Sequence, residues 1–282
     1  MSLYNSKVIL ERRSFVIQDI KPHCFSNIFC PKQPVKGDYI FCFQDGKVAL
    51  LDGQVPKVGD IFPKNPIYLF GIDCASVFLA TPEDAEQLPF VSVDVFRKFE
   101  PGFIGFAGLT AYHLFHYYNQ NRFCGCCGEK MAFSSKERAM LCPKCGLVKY
   151  PEIAPAVIVG IINDDKILMT KYSESHSSYQ NYGLVAGYTE IGESLEETVC
   201  REVMEEVGLN VKDITYYKNQ PWGMSDSLLV GYFAKVDGLD KIVMDREELR
   251  ETRWFTRDEI KEDTNIKSLT GDMIEAFRRG LF

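Results

Sequence analysis

The chain has 282 residues, with 32 Lys and Arg against 39 Asp and Glu and a formal net charge of −7. At about 100–200 residues per domain, that length supports two domains rather than one. A hydrophobic share of 46% and a charged share of 25% exclude disorder and collagen-like repeats, and the acidic balance excludes a general coat for nucleic acid or anionic lipid, though a local basic patch remains open.

The opening stretch, MSLYNSKVILERRSF, puts charges inside what would be a signal-peptide core, which predicts a cytoplasmic protein. Lys7–Ile17 and Tyr39–Leu51 have strand composition, and Asp45-Gly46 supplies a tight hairpin turn. Ile67–Ile72 and Ser76–Ala80 read as further short strands, followed by a mainly helical stretch from about Ala85 to Tyr118. Pro101 to Asn121 carries no Lys, Arg, Asp or Glu and is long enough to be considered as a membrane span. Its Gly102, Gly105, Gly108, His113, His116, Asn119 and Gln120 are unlike a lipid-facing run, so a buried or interface helix is expected and no membrane contact. Residues 1–120 thus form a small α/β domain, structural or dimer-forming, with no recognisable motif.

Of ten cysteines, Cys124, Cys126, Cys127, Cys142 and Cys145 crowd into one short segment. Cys24, Cys30, Cys42, Cys74 and Cys200 are scattered in apolar sequence and read as ordinary reduced thiols. Cys124-x-x-Cys127 and Cys142-x-x-Cys145 are two knuckles, each followed by a glycine (Gly128, Gly146) that lets the backbone bend. Four thiolates complete a tetrahedral Zn2+ shell and leave no open position, so the site over residues 121–150 is read as structural. Cys126 is a bystander on this reading. The connection carries Lys130, Lys136, Arg138 and Lys144, a modest basic content that also suits plain solvation, and His113 and His116 are spare candidates as ligands.

Residues 151–282 read as a second domain. Ala154–Ile162 and Lys166–Tyr172 flank the turn Asn163-Asp164-Asp165, a polar loop runs from Ser173 to Gln180, Leu228–Val236 and Arg253–Thr256 are strands, and Ser268–Arg279 is a closing helix. Between them Ser194-Leu195-Glu196-Glu197 forms a capping box, and Gly208 ends the helix it opens. Leu195, Val199, Val203 and Val207 make one apolar stripe, while Glu202, Glu205 and Glu206 share an arc of about 100°. Like charges so spaced weaken a helix by about 0.2–0.5 kcal/mol per pair, so they need a cation or open water. Taken alone, such a cluster is more often a solvated face than a metal site.

The surroundings decide otherwise. Gly187, Glu193, Arg201, Glu202, Val203, Glu205, Glu206, Gly208 and Leu209 fit G-x5-E-x7-R-E-U-x-E-E-x-G-U at every fixed position, U being aliphatic. The segment resembles the Nudix hydrolase box, whose family cleaves diphosphates linked to another moiety. The resemblance implies an α+β protein: a Nudix α/β/α sandwich with a mixed sheet, preceded by the zinc ribbon and the smaller N-terminal α/β domain. It implies catalytic Mg2+ or Mn2+ on Glu202 and Glu206, with Glu205 beside them as a candidate base. It also implies a carbonyl ligand from Ala186 and an orienting role for Arg201, with Glu193 supporting it.

A four-cysteine ribbon just before a Nudix domain resembles the NADH pyrophosphatase branch. That branch carries a downstream SQPWPFPxS signature; here Asn219 precedes Gln220-Pro221-Trp222, and Gly223-Met224-Ser225 replaces Pro-Phe-Pro before Asp226 and Ser227. The resemblance makes Gln220 to Ser227 a substrate-binding segment, with Tyr188 and Trp222 facing the two sides of a nicotinamide ring, Trp222 from a second subunit of a homodimer. Glu137 and Tyr150 match further substrate contacts, and Glu248 a further metal ligand, with Glu247 the neighbour if the alignment slips by one. Residue by residue, blander readings stand beside these: Trp222 as packing, Tyr150 as closure of the ribbon, Glu248 as solvated surface. The implied activity is hydrolysis of NAD(H) to nicotinamide mononucleotide and AMP, extending to NAD-cap removal from RNA. Two alternatives are a Nudix hydrolase of ADP-ribose or another nucleoside diphosphate derivative, permitted by Gly-Met-Ser, and a non-catalytic nucleotide-sensing or RNA-binding module. The intact carboxylates argue against the second.

Overall fold

The computed structural model describes residues 16–173, 181–262 and 268–282, so most of the strand expected over Lys7–Ile17, and the loop expected over Ser173–Gln180 apart from Ser173, lie outside the described residues. Contacts divide the chain into two compact units. One holds Ile20–Ala156 with Pro221–Leu229; the other holds Val157–Gln220 and Val230–Phe282 with the described residues up to Asp19.

In the first unit, β1 (Phe25–Ser26), β2 (Tyr39–Gln44), β3 (Lys47–Ala49), β4 (Ile67–Ile72), β5 (Ala75–Ala80) and β6 (Phe90–Ser92) form a sheet in the order β1-β4-β5-β2-β3-β6. Only β2 and β5 pair in parallel among its ladders; Asp45 and Gly46, both at positive φ, close the β2–β3 hairpin as their sequence requires. Alternation along β2 sends Ile40 and Cys42 into one cluster with Tyr68 and Phe78. Phe41 and Phe43 stack with each other and meet Phe96 edge-on, and Phe43 also meets Tyr112 of α1 (Gly102–Gln120). That helix, eleven of whose nineteen residues are buried, follows a 3-10 segment, Val93–Lys98. Gly108 is where the two touch: a Cβ there would collide with the Phe96 ring. No helix among the described residues is long and apolar enough to cross a membrane. The ribbon adds a small antiparallel sheet of β7 (Ala132–Phe133), β8 (Met140–Leu141) and β9 (Val148–Lys149).

The second unit is built on β10 (Ala154–Asn163), β11 (Lys166–Tyr172), β12 (Val185–Tyr188), β13 (Val211–Trp222), β14 (Ser227–Val236) and β15 (Leu249–Thr256). Their order is β13-β14-β10-β11-β15, with β12 also beside β10. The β10–β11 and β11–β15 ladders are antiparallel, and Asp164 at positive φ closes the first hairpin. Val157, Val159 and Ile161 are fully buried on β10, as are Val199, Val203 and Val207 on α2 (Leu195–Val207) and Met273 and Phe277 on α3 (Leu269–Arg278). The sheets with helices make the protein α+β.

Several expectations need correction. The stretch from Ala85 is mainly helical but interrupted: β6 and a separate 3-10 segment precede the α-helix, which starts only after Pro101. The β-branched Val91, Val93 and Val95 and the cap at Ser92 suit that shorter, broken path. The long β13 has no counterpart in the sequence reading, because its residues, only one of them buried, lack alternation and it contains Pro221. β15 starts at Leu249 rather than Arg253. Of the five scattered cysteines only Cys42 is buried; Cys24, Cys30, Cys74 and Cys200 are exposed, so apolar sequence neighbours did not mean an apolar environment.

Candidate active site and metal centre

Helix α2 begins where Ser194 Oγ accepts the Glu197 N–H at 3.2 Å and Glu197 Oε2 accepts the Ser194 N–H at 2.7 Å. It ends at Gly208, whose φ of +67° and N–H to the Met204 carbonyl form a left-handed cap. A Cβ at Gly208 would also stand 2.8 Å from Val243, because residues 243–245 lie along the helix end. There the Val243 and Asp245 N–H groups donate to the carbonyls of Val207 and Glu206 at 2.9 Å. This contact carries the segment bearing Glu248 to the carboxylate face of the helix.

The apolar stripe buries Glu206 with it. Glu206 is 2% exposed, accepts the Ala186 N–H at 3.3 Å through Oε1, and has no partner for Oε2 among the described residues. Burial, then the charges of Glu202, Glu248 and Asp245, push its carboxyl up to about 8. Glu202 is half-buried and also raised, mainly by burial, with Glu205 and Glu248 adding to it. Its carboxylate lies against Gly187 on β12, where any Cβ would fill the space it occupies. An orphaned buried oxygen, a cradle that excludes a side chain and several carboxylates raising one another fit a hard divalent cation with oxygen ligands.

Arg201 organises the exposed side of this cluster. Its Nε and Nη2 donate to the two oxygens of Glu193 at 2.6 and 2.9 Å, and Nη1 donates to Glu202 at 2.7 Å and Glu205 at 2.9 Å. Nη2 also donates to the Tyr188 carbonyl at 2.8 Å, while the Tyr188 ring stands half exposed. The guanidinium holds the Glu193 carboxyl down at about 2. Glu248 acts electrostatically on both Glu202 and Glu206, whereas Glu247 is exposed and turns its N–H to Asp245 Oδ1 at 2.8 Å. Sequence reasoning missed Asp245 and Tyr172. The Tyr172 hydroxyl is raised by burial and by Glu206, Glu248 and Glu202. No local spacing marks either residue, since strand register and the helix-end contact bring them in.

In the other unit, the two knuckles repeat one hydrogen-bond pattern. Cys124 and Cys142 each donate N–H at 2.8 Å to the carbonyl five residues on, and accept at 2.8 and 3.0 Å from Gly128 and Gly146. Sγ–Sγ distances are 3.5 Å for Cys124–Cys145 and for Cys127–Cys142, and all four sulfurs lie within 4.8 Å of one another. The Cys142 thiol is drawn down to about 6, chiefly by the Cys145 N–H. This sulfur set fits tetrahedral Zn2+. Cys126 is exposed and stands outside it, as do His113 and His116. Nearby, the Tyr150 hydroxyl donates to Glu137 Oε1 at 3.0 Å, both residues exposed.

The segment after the box forms the β13–β14 turn. Gln220 is fully buried with no amide partner among the described residues, Pro221 is exposed, and Trp222 lies half-buried under the Arg97 guanidinium at 5.7 Å. Gly223 is buried, Met224 half-buried, and Ser225 Oγ is 2.8 Å from Ser227 Oγ. Asp226, at positive φ, faces His116.

The model of the NUDIX domain matches residues 152–277, and that of the NADH pyrophosphatase zinc ribbon domain matches residues 119–150. The chain is similar to the proteins named NAD-capped RNA hydrolase NudC of Escherichia coli (strain K12 / DH10B) and Escherichia fergusonii. Each is 41% identical over 147 residues, 52% of this chain and 56% of theirs. The alignment thus spans about half the length of these curated relatives. A solved NUDIX hydrolase from Nitrosomonas europaea aligns with 56% of this chain and 91% of its own, at 24% identity and a TM-score of 0.48. The complete glutamate box thus lies in a segment, residues 152–277, that matches a NUDIX domain, and the four cysteines in one, residues 119–150, that matches an NADH pyrophosphatase zinc ribbon domain.

Proposed function

We propose that the chain hydrolyses the diphosphate of NAD(H) to nicotinamide mononucleotide and AMP, and removes an NAD cap from RNA by the same cleavage. The observation that carries this is the buried, half-unpartnered Glu206 among Glu202 and Glu248 on the box helix. The ribbon match and the names of the relatives support the substrate. On this reading residues 1–120, 121–150 and 151–282 are three domains, and the enzyme works in the cytoplasm as a homodimer whose aromatic pocket draws on both copies.

Glu202, Glu206 and Glu248 with the Ala186 carbonyl would hold Mg2+ or Mn2+. When bound, the cation supplies Lewis acidity to the diphosphate oxygens and lowers the pKa of the attacking water. Arg201 keeps Glu202 aimed, and Glu193 fixes Arg201 by a two-point pair that a lysine would not reproduce. Glu205, exposed at the rim, is the candidate to accept the water proton. Tyr188 and Trp222 would flank the nicotinamide; Glu137, Tyr150 and the Gln220–Ser227 turn would hold the rest of the nucleotide. A second reading, ADP-ribose or another nucleoside diphosphate derivative as substrate, is permitted by Gly223-Met224-Ser225, which replaces Pro-Phe-Pro.

Mass-resolved product analysis with NADH, NAD+, ADP-ribose and NAD-capped RNA, each with Mg2+ or Mn2+, tests the proposal. AMP and reduced nicotinamide mononucleotide from NADH are expected. Rapid ADP-ribose cleavage with NADH untouched would retain the chemistry and overturn the substrate.

A further inference from the structure

Residues 20–120 carry no recognisable motif, yet the turn that bears Trp222 packs against them within one compact unit. Gly223 lies on α1 so closely that any Cβ would collide with the Leu109 carbonyl oxygen, and His113 Cβ stands 3.4 Å from the same point. Neither proline nor alanine fits this position, which is a packing reason for glycine where a stiffer residue would otherwise follow Trp222. One helical turn further along α1, His116 Nδ1 is 3.0 and 2.9 Å from the two oxygens of Asp226. An ionised carboxylate only accepts, so Nδ1 carries the proton and donates to both. The Asp226 carbonyl accepts the Ala154 N–H at 2.9 Å, and the His116 ring is backed by Tyr112 at 4.1 Å between centroids.

Trp222 is held from the same platform. Arg97 sits over the indole at 5.7 Å, on a 3-10 segment that is locked to α1 because Gly105 and Gly108 leave room only for Phe96. The turn is therefore gripped through its backbone at Gly223, its carboxylate at Asp226 and its aromatic face at Trp222, each time by residues of the N-terminal unit.

We infer that α1 and the 3-10 segment before it are the platform that sets the pose of Trp222, making His116 and Arg97 positioning residues for nucleotide recognition. This rests on the reading of Trp222 as a nucleotide contact, and it assigns a role in substrate selection to a domain that otherwise has none.

The test uses the full chain with Trp254→Phe, which leaves Trp222 as the remaining indole of the two. His116→Ala removes the donor to Asp226. It is expected to red-shift Trp222 emission, weaken quenching by NAD+ and raise KM for NADH about tenfold, with kcat within about twofold. His116→Asn, whose amide donates from the position of Nδ1, is expected to restore emission and KM. Arg97→Met leaves the His116–Asp226 pair intact and is expected to shift emission and KM in the same direction, so the inference survives a poorly folded His116→Ala. Unchanged emission and KM in both His116→Ala and Arg97→Met would overturn the platform. Shifted emission in a parent that never cleaves NADH would support the platform and overturn the NADH reading instead.

Discussion

The ribbon and the glutamate helix both gather like-charged ligands, but they do so in opposite ways. Each cysteine knuckle is closed by its own backbone, with the same amide and carbonyl bonds around Cys124 and Cys142, so six residues of local sequence suffice to place two thiols. The carboxylates depend on distant segments. Glu202 needs the bare Gly187 of β12, Glu206 needs the Ala186 amide, and Glu248 arrives only because residues 243–245 bond to the end of α2. The thiols converge within 4.8 Å of one another, and among the described residues only they do. A closed structural centre can be written locally; an open site that must admit substrate is assembled from tertiary structure.

The largest effect should come from breaking the closed centre. Structural zinc contributes about 10–16 kcal/mol of apparent binding energy in zinc-finger peptides, so Cys142→Ser should release the metal and unfold the ribbon. Metal analysis should find one Zn2+ in the parent and in Cys126→Ser, and none in Cys142→Ser; zinc retained in Cys142→Ser would contradict the ligand set.

Glu206→Gln should do the reverse, sparing the fold and abolishing function. The neutral isostere removes a charge that burial opposes, so the melting temperature should hold or rise while kcat for NADH falls at least ~10²-fold. A melting temperature lowered as far as in Cys142→Ser would make Glu206 a structural group. Arg201→Lys loses the paired bonds to Glu193 and should cost about 10–100-fold in kcat, read by steady-state rates at saturating metal.

Smaller effects probe the frame of the open site. Gly208→Ala places a Cβ at positive φ beside Val243 and should cost about 1–2 kcal/mol by urea unfolding. The Glu193 carboxyl, held at about 2 instead of the usual 4.5, stabilises the fold fully above pH 4.5, and that stabilisation fades as pH falls toward 2. Glu193→Gln should therefore melt lower than the parent near neutrality and converge with it near pH 2. A gap that stays constant with pH would rule out the Arg201 pair as its cause.

The legibility of the chain follows the same division. Helix α2 from cap to terminator, the Asp45-Gly46 and Asn163-Asp164-Asp165 hairpins and both knuckles could be read because each is a short-range pattern with its own chemistry. β13 was not legible: only one of its twelve residues is buried, so no alternation marks it. Asp245 and Tyr172 were missed because nothing in their neighbourhoods distinguishes them from surface acid and strand aromatic. The sequence reading left Glu247 in reserve beside Glu248; the fold turns Glu248 toward the cluster and Glu247 outward. At Gly223 the sequence shows only a departure from Pro-Phe-Pro, whereas the fold shows the reason for glycine, close packing on Leu109.

The most direct test of the account is a Mn2+ titration of the zinc-loaded protein, followed by electron paramagnetic resonance, comparing the parent with Glu206→Gln. Bound Mn2+ is expected in the parent, with water still exchanging at the open site, and its loss in Glu206→Gln while zinc stays in the ribbon. Equal Mn2+ binding by both proteins, or none by the parent, would contradict the assignment of the glutamate helix as the metal-binding centre.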